Sequence, residues 1–283
     1  MEPLELVRLT SLMERTGGSP AVKIALLDGP VQCAHPDSIA CRHGTFVASI
    51  LYAKRGTASP AICPDCTLLV HPIFPETTAP DDSLPAATPA QLAAAISDAI
   101  AAGARILNLS AALSRPAMDR DTALEAALNL AAARGVLVIV AAGNQGTLGS
   151  TTITRHPWVI PVISYNRHGQ PLSQSNLGHS IGRRGLGAPG DNITSLGPDG
   201  QPLTLSGTSV AAPFVTGAAA LLWSEFPSAT AAQIRNALLA NPGRRPTVIP
   251  PLLDAWGAYQ FLQAAHTTTQ PGGSWNRNVA THP

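Results

Sequence analysis

Ser209 lies in the run Ser206-Gly207-Thr208-Ser209-Val210-Ala211-Ala212-Pro213, directly ahead of the apolar stretch Phe214 to Trp223. Gly207 permits a tight turn, and Pro213 suits the first turn of a helix, where a missing N–H costs little. Ser209 is thereby placed at a helix N-terminus, beside unpaired backbone N–H groups and the positive end of the helix dipole. From there its hydroxyl can attack a carbonyl while neighbouring N–H groups hold the oxyanion that forms. Such a serine needs a base. Arg42-His43-Gly44-Thr45-Phe46-Val47-Ala48 offers His43 ahead of small and apolar residues at helical spacing. The base in turn needs a group that fixes its tautomer and stabilises its charged form, and Asp28 closes the apolar segment Val22 to Leu27. Asn144, in Ala142-Gly143-Asn144-Gln145 after the apolar run Val136 to Val140, is a side-chain donor of the kind that completes an oxyanion hole.

These residues are far apart in the chain, so the fold must bring them together. Short apolar runs predict strands at Val22–Leu27, Thr67–His71, Arg105–Leu109, Val136–Val140 and Val159–Ile163. Helical spacing predicts helices over Leu4–Arg15, from His43 onward, and over Pro89–Ala102, Asp119–Arg134, Ser209–Trp223, Thr230–Leu239 and Asp254–Ala264. Strands alternating with helices point to an α/β fold, with a mostly parallel central sheet and helices on both faces. A carboxylate just past the carboxyl end of such a strand stands where open α/β sheets place their sites. Pro75 to Pro89, rich in Pro, Asp and Thr, predicts an exposed loop, and the polar stretch 266–283 predicts a mobile tail after a domain of residues 1–265.

Singly, each candidate has an ordinary alternative. A serine at a helix start is commonly a cap, an asparagine after glycine a turn residue, and an aspartate after a strand the cap of the next element. In combination and in this order they resemble the subtilisin-like (S8) serine proteases, whose chain order is aspartate, histidine, serine. Leu27-Asp28-Gly29, His43-Gly44-Thr45, Ala142-Gly143-Asn144 and Gly207-Thr208-Ser209 carry the resemblance, which runs from about Lys23 to Leu222. It implies the subtilisin-like fold and a serine endopeptidase in which Asp28 orients, His43 is general acid and base, and Ser209 is the nucleophile. Asn144 with the Ser209 N–H would bind the oxyanion. It also implies that an extended peptide pairs beside Asn108 to Leu113, with Ser110, Ala111, Ala112 and Gly143 as substrate contacts. The chain departs from the commoner pattern at Gly29, where many members carry Ser or Thr, and at Ala111-Ala112, where glycine is usual.

The stretches Leu12-Met13-Glu14-Arg15-Thr16 and Leu27-Asp28-Gly29-Pro30-Val31 further resemble the proteases that mature cyanobactins and related ribosomally made peptides. That resemblance implies removal of a leader peptide, with a macrocyclising transamidase or a peptide-binding pseudoprotease as alternatives. Macrocyclases add a helical insertion near the site, for which the short Asp28–His43 connection leaves no space, so hydrolysis is expected.

Composition adds bounds. The 283 residues are 45% hydrophobic, enough for a sizeable interior, and carry a net charge of +1. Nothing in that balance points to nucleic acid or a membrane surface, and no apolar run reaches the length of a membrane span. The opening Met1-Glu2-Pro3-Leu4-Glu5-Leu6 lacks a signal pattern, so a cytoplasmic enzyme acting on a peptide or protein substrate is expected. The connection Gly56 to Ala61 has no carboxylate cluster, so neither calcium nor any other cofactor is expected. Four cysteines remain: Cys33, Cys41, Cys63 and Cys66. They could form two local disulfides, Cys33–Cys41 and Cys63–Cys66, or one four-thiolate zinc site. They could also be free thiols, the default in a reducing compartment. The two disulfides are the preferred reading.

Overall fold

The structure, a computed structural model, describes residues 1–31, 33–75, 87–110, 121–240 and 247–268. In chain order its elements are α1 (Pro3–Leu6), α2 (Thr10–Arg15), β1 (Lys23–Asp28), α3 (Ile39–Tyr52), β2 (Thr67–Pro72), α4 (Pro89–Ala101), β3 (Ile106–Leu109), α5 (Thr122–Ala133) and β4 (Leu137–Ala141). They continue with α6 (Thr152–Arg155), β5 (Ile160–Tyr165), α7 (His179–Arg184), β6 (Leu186–Pro189), β7 (Ile193–Leu196), β8 (Pro202–Leu205), α8 (Thr208–Glu225), α9 (Ala231–Leu239) and α10 (Ala255–Thr268).

Six strands form one sheet in the order β2-β1-β3-β4-β5-β6, every neighbouring pair parallel. The strands β3, β4 and β5 are buried at every position, as expected of strands covered on both faces. One face packs against α3 and α8 through residues such as Ile24, Leu26, Phe46, Ile106 and Phe214. The other packs against α4 and α5 through Leu27, Leu92, Leu107, Leu124 and Val138. The alternation of strand side chains between two faces thus builds two apolar layers. α8 is buried from Thr208 through Trp223, which a helix apolar all round requires. The chain leaves β1 in one direction to reach β2 and lies on the other side of it in β3, so the carboxyl end of β1 is a topological switch point.

The predicted strands are found, displaced by one or two residues. The predicted helix over Leu4–Arg15 is broken: α1 and α2 are separated by Val7 to Leu9, with Arg8 in the left-handed region at φ 54°. The break lets Val7, Leu9 and Leu12 all reach full burial and lets Arg8 pair with Asp254 at 2.8 Å. α3 begins at Ile39, four residues before His43, because the Ser38 hydroxyl accepts the Cys41 N–H at 3.1 Å and caps it there. α10 continues to Thr268, so the first residues assigned to the tail are helical; residues 269–283 lie outside those described, as do 76–86 of the predicted loop.

Candidate active site

β1 ends on Asp28, which is fully buried. The chain then turns through Gly29 and Pro30 and enters α3, whose second turn holds His43. The turn is tight enough that a Cβ on Gly29 would overlap the Ala40 carbonyl oxygen, and a Cβ on Gly44 would overlap that of Gly29. Two glycines therefore let α3 sit directly against the carboxyl end of β1. His43 Nδ1 lies 2.7 Å from Asp28 Oδ1, and His43 Nε2 lies 2.9 Å from Ser209 Oγ. A carboxylate only accepts, so Nδ1 carries the proton and the bare Nε2 accepts from the Ser209 hydroxyl. The sequence separations bridged are 15 and 166 residues. The carboxylate is fully shielded and both His43 and Ser209 are 7% exposed, enough for a substrate to reach the hydroxyl.

Asp28 Oδ1 also accepts the Gly29 N–H at 2.6 Å, whereas Oδ2 is buried with no hydrogen-bond partner among the described residues. The departure at Gly29 accounts for this. The approach of Ala40 excludes any side chain there, and with it any hydroxyl that could bond the carboxylate. Both hydrogen bonds to the Asp28 carboxylate therefore fall on Oδ1, the oxygen that faces His43.

Asn144 follows Gly143, which holds φ 107°, at the carboxyl end of β4. Its Oδ1 accepts the Thr208 N–H at 2.8 Å, and the Thr208 hydroxyl accepts the Gly143 N–H at 3.1 Å. These two bonds join the β4 loop to the start of α8 and fix the Asn144 amide with its NH₂ group free to donate. Gly207, at φ 146°, makes room: a Cβ there would come within 3.0 Å of Asn144 Nδ2. The Ser209 N–H lies in the first turn of α8, where backbone donors have no partner within the helix. Asn144, His43 and Ser209 line one open cleft of about 430 Å³. A carbonyl attacked by Ser209 there meets a base on one side and two donors on the other.

The expected substrate contacts fare differently. Ser110 sits at the carboxyl end of β3, 4% exposed. Its N–H donates to the Leu27 carbonyl at 3.3 Å, and its hydroxyl accepts from Asn108 Nδ2 at 3.0 Å. Asn108 in turn accepts from the Thr216 hydroxyl of α8 at 2.7 Å, so a buried polar chain ties this strand end to the helix of the nucleophile. The Gly143 N–H is taken by Thr208 and its carbonyl accepts from the Asn176 N–H at 2.9 Å. The Gly143 N–H is thus committed within the frame of the site. Ala111 and Ala112 lie outside the described residues.

The sequence reading missed the opposite wall of the cleft. It is built by the β7–β8 hairpin, which brings Leu203, Leu205 and Ser206 beside Arg42. The signal was present: Pro198-Asp199-Gly200 is a turn sequence flanked by alternating apolar residues. The hairpin is held against α3 by buried hydroxyls, with Ser195 Oγ 2.9 Å from Ser59 Oγ and 3.0 Å from the Phe46 carbonyl.

The cysteines divide. Cys33 and Cys41 are bonded and link the β1–α3 connection to the first turn of α3, just before His43. Cys63 and Cys66 are not: both are free and buried. The Cys66 N–H donates to the Cys63 carbonyl in a tight turn at the entrance to β2 (3.2 Å), and the hydrogen bond the two thiols share raises the Cys63 pKa, as burial also does, while it lowers that of Cys66 against the opposing effect of burial. The expected second disulfide is thus replaced by a buried thiol pair, closed off from oxidant by the surrounding core. With two sulfurs committed to a disulfide, the four-thiolate alternative is not assembled, and no group of three or more His, Cys, Asp or Glu able to hold a metal occurs among the described residues. Alkylation followed by intact mass should add no label to the folded protein, two after unfolding, and four after unfolding with reductant. Four labels without reductant would show that Cys33 and Cys41 are thiols.

Among the described residues no helix is long and apolar enough to cross a membrane. The pattern of the subtilase family (peptidase S8) matches residues 34–257. Mycosin-1 of Mycolicibacterium smegmatis (strain ATCC 700084 / mc(2)155) is 32% identical over 255 residues, covering 70% of this chain and 54% of its own length. The chain spans about half to three fifths of the curated relatives it matches first. Among solved structures, the protease domain of PatA superposes with a TM-score of 0.79 at 32% identity, over 88% of this chain and 97% of that one. The prenylagaramide maturation protease PagA does so with a TM-score of 0.78 at 33% identity, over 90% and 98%.

Proposed function

The chain belongs to the subtilase family, and from that premise we propose that it is a serine endopeptidase working through Asp28, His43 and Ser209. The observation that carries the proposal is the continuous bonding from a buried carboxylate through His43 to the Ser209 hydroxyl, at 2.7 and 2.9 Å. His43 takes the hydroxyl proton as Ser209 Oγ bonds to the substrate carbonyl carbon. The oxyanion is held by the Asn144 amide and the Ser209 N–H. His43 then gives the proton to the departing amine, which leaves an acyl-enzyme. Water deprotonated by the same imidazole cleaves that ester and restores the serine.

The substrate we propose is the leader-bearing precursor of a ribosomally made peptide, cut at the leader–core junction. The likeness to the prenylagaramide maturation protease PagA supports this. Hydrolysis is favoured over ring closure because β1 passes to α3 through a short connection in which the described residues form no helix. The expected cytoplasmic location stays part of the proposal. It carries its own check, since a reducing compartment would hold Cys33 and Cys41 as thiols in protein trapped directly from cells.

A fluorophosphonate probe should label Ser209, and peptide mapping should find the label nowhere else. An unlabelled Ser209 in protein that still binds peptide would replace this reading with a peptide-binding module. Asn144→Ala should lower kcat by about a hundred- to a thousandfold, the usual loss for one oxyanion donor, with KM nearly unchanged. Unchanged turnover would make Asn144 only the staple for Thr208.

A further inference from the structure

Arg42 immediately precedes His43 on α3, and its side chain lines the same cleft as His43, Asn144 and Ser209. It is exposed and makes no ion pair or side-chain hydrogen bond among the described residues. No carboxylate lines that cleft, whose remaining wall is apolar apart from Ser206: Ile39, Leu203, Leu205 and Val210. The cleft therefore offers one permanent cation against an apolar floor, next to an imidazole that becomes positive as the reaction proceeds. A guanidinium is always charged and pairs with a carboxylate through two parallel bonds.

The side of the cut bond follows from which elements line the cleft. The acyl part of a substrate belongs beside the end of β3, at Ser110, and neither Ser110 nor any other residue of that strand lines this cleft. Arg42 and the β7–β8 hairpin line it instead, which leaves this cleft for the departing amine. Farther along the same side a second depression shares Arg42 and Leu203 but is lined by Asp37 and Asp199. The positive wall is therefore short, with negative charge beyond it.

Resting on the serine endopeptidase reading, we infer that Arg42 selects substrates with a carboxylate side chain at the first or second residue after the cut. At the third residue and beyond, Asp37 and Asp199 remove the preference. Like charges near an interface discriminate against wrong partners as opposite charges select right ones.

The test uses peptides built around a bond that the enzyme first cuts in an unfolded protein. Each peptide is amidated at its C-terminus and carries Asp or Asn at the first, second or third position after that bond. A further pair with a short leaving segment, free or amidated, separates a terminal carboxylate from a side-chain one. Asp should raise kcat/KM about fivefold over Asn at the first or second position, the range of a partly exposed ion pair, and give no gain at the third. Arg42→Glu should invert the order, with Lys preferred to Asp. Equal rates for Asp and Asn in the wild type would overturn the inference, as would a preference for Asp surviving in Arg42→Glu. A gain confined to the free terminus would overturn it as well. Fluorophosphonate labelling of Ser209 separates the two levels. Label without acid preference removes only the role of Arg42, and absence of both label and cleavage removes the reading beneath it.

Discussion

Ser209→Ala should lower turnover by about a millionfold, since removing the serine or the histidine of the triad in subtilisin costs about as much as removing all its members. The reason lies in the bonding. Without Oγ there is no atom to form the ester, and the proton that His43 Nε2 would accept at 2.9 Å is gone. The oxyanion donors and the cleft remain, so the variant should keep some residual rate over water and bind peptide with little change in KM. It should also fold. One hydrogen bond is lost, a cost of about 1 kcal/mol, and the buried run that fixes α8 continues for fourteen residues beyond Ser209, through Trp223. The measurements are kcat on a cleaved peptide, probe labelling and thermal midpoint. Activity kept above about one part in a hundred in homogeneous protein would place the nucleophile elsewhere.

The second large effect should come from Asp28→Asn, a fall in kcat of about ten-thousandfold. An asparagine can sit there in two ways, and both fail. With its NH₂ toward His43, two donors face the Gly29 N–H, which now bonds Asp28 Oδ1 at 2.6 Å. The imidazole must then carry its proton on Nε2 and cannot take one from Ser209. With its oxygen toward His43, the tautomer survives, but the NH₂ occupies the position of Oδ2, which is buried and has no partner among the described residues. An unsatisfied buried donor costs about 1–3 kcal/mol, and the negative charge that stabilises the imidazolium is lost in either case. KM should change little, because Asp28 touches no substrate. A modest loss, within tenfold, would mean that the carboxylate only positions the ring and that its charge is unimportant.

Much of this site was legible in the chain because its determinants are local. Gly207 and Gly143 mark turns at positive φ. The apolar runs ending at Asp28 and Ala141 read as buried parallel strands because burial on both faces leaves no polar alternation to confuse them. The start of α8 could be read from Gly207 and Pro213, since capping and proline preferences act within one turn. Even the early start of α3 had its mark in Ser38, whose hydroxyl caps the helix; attention to His43 as the beginning of the helix passed over it.

Other features depend on how the folded chain places its segments, whether near or far in sequence. The sequence offered three fates for four cysteines. Only the placement of the β1–α3 connection against α3 bonds Cys33 to Cys41, while the turn entering β2 leaves Cys63 and Cys66 as thiols. That the Gly143 N–H is committed to Thr208, 65 residues on, is visible only in the folded chain. The β7–β8 hairpin reads locally as a surface turn; that it walls the cleft beside Arg42 follows from Ser195 meeting Ser59 and Phe46 across α3.

The residue types and their order along the chain determined by themselves which atoms could act as acid, base and nucleophile, since a carboxylate, an imidazole and an alcohol carry those capacities wherever they stand. Tertiary structure decided that the three meet at bonding distance and which residues wall the cleft beside them. Each of these is a separation of a few ångströms between segments up to 166 residues apart, and such separations are set by how the layers pack rather than by any local preference.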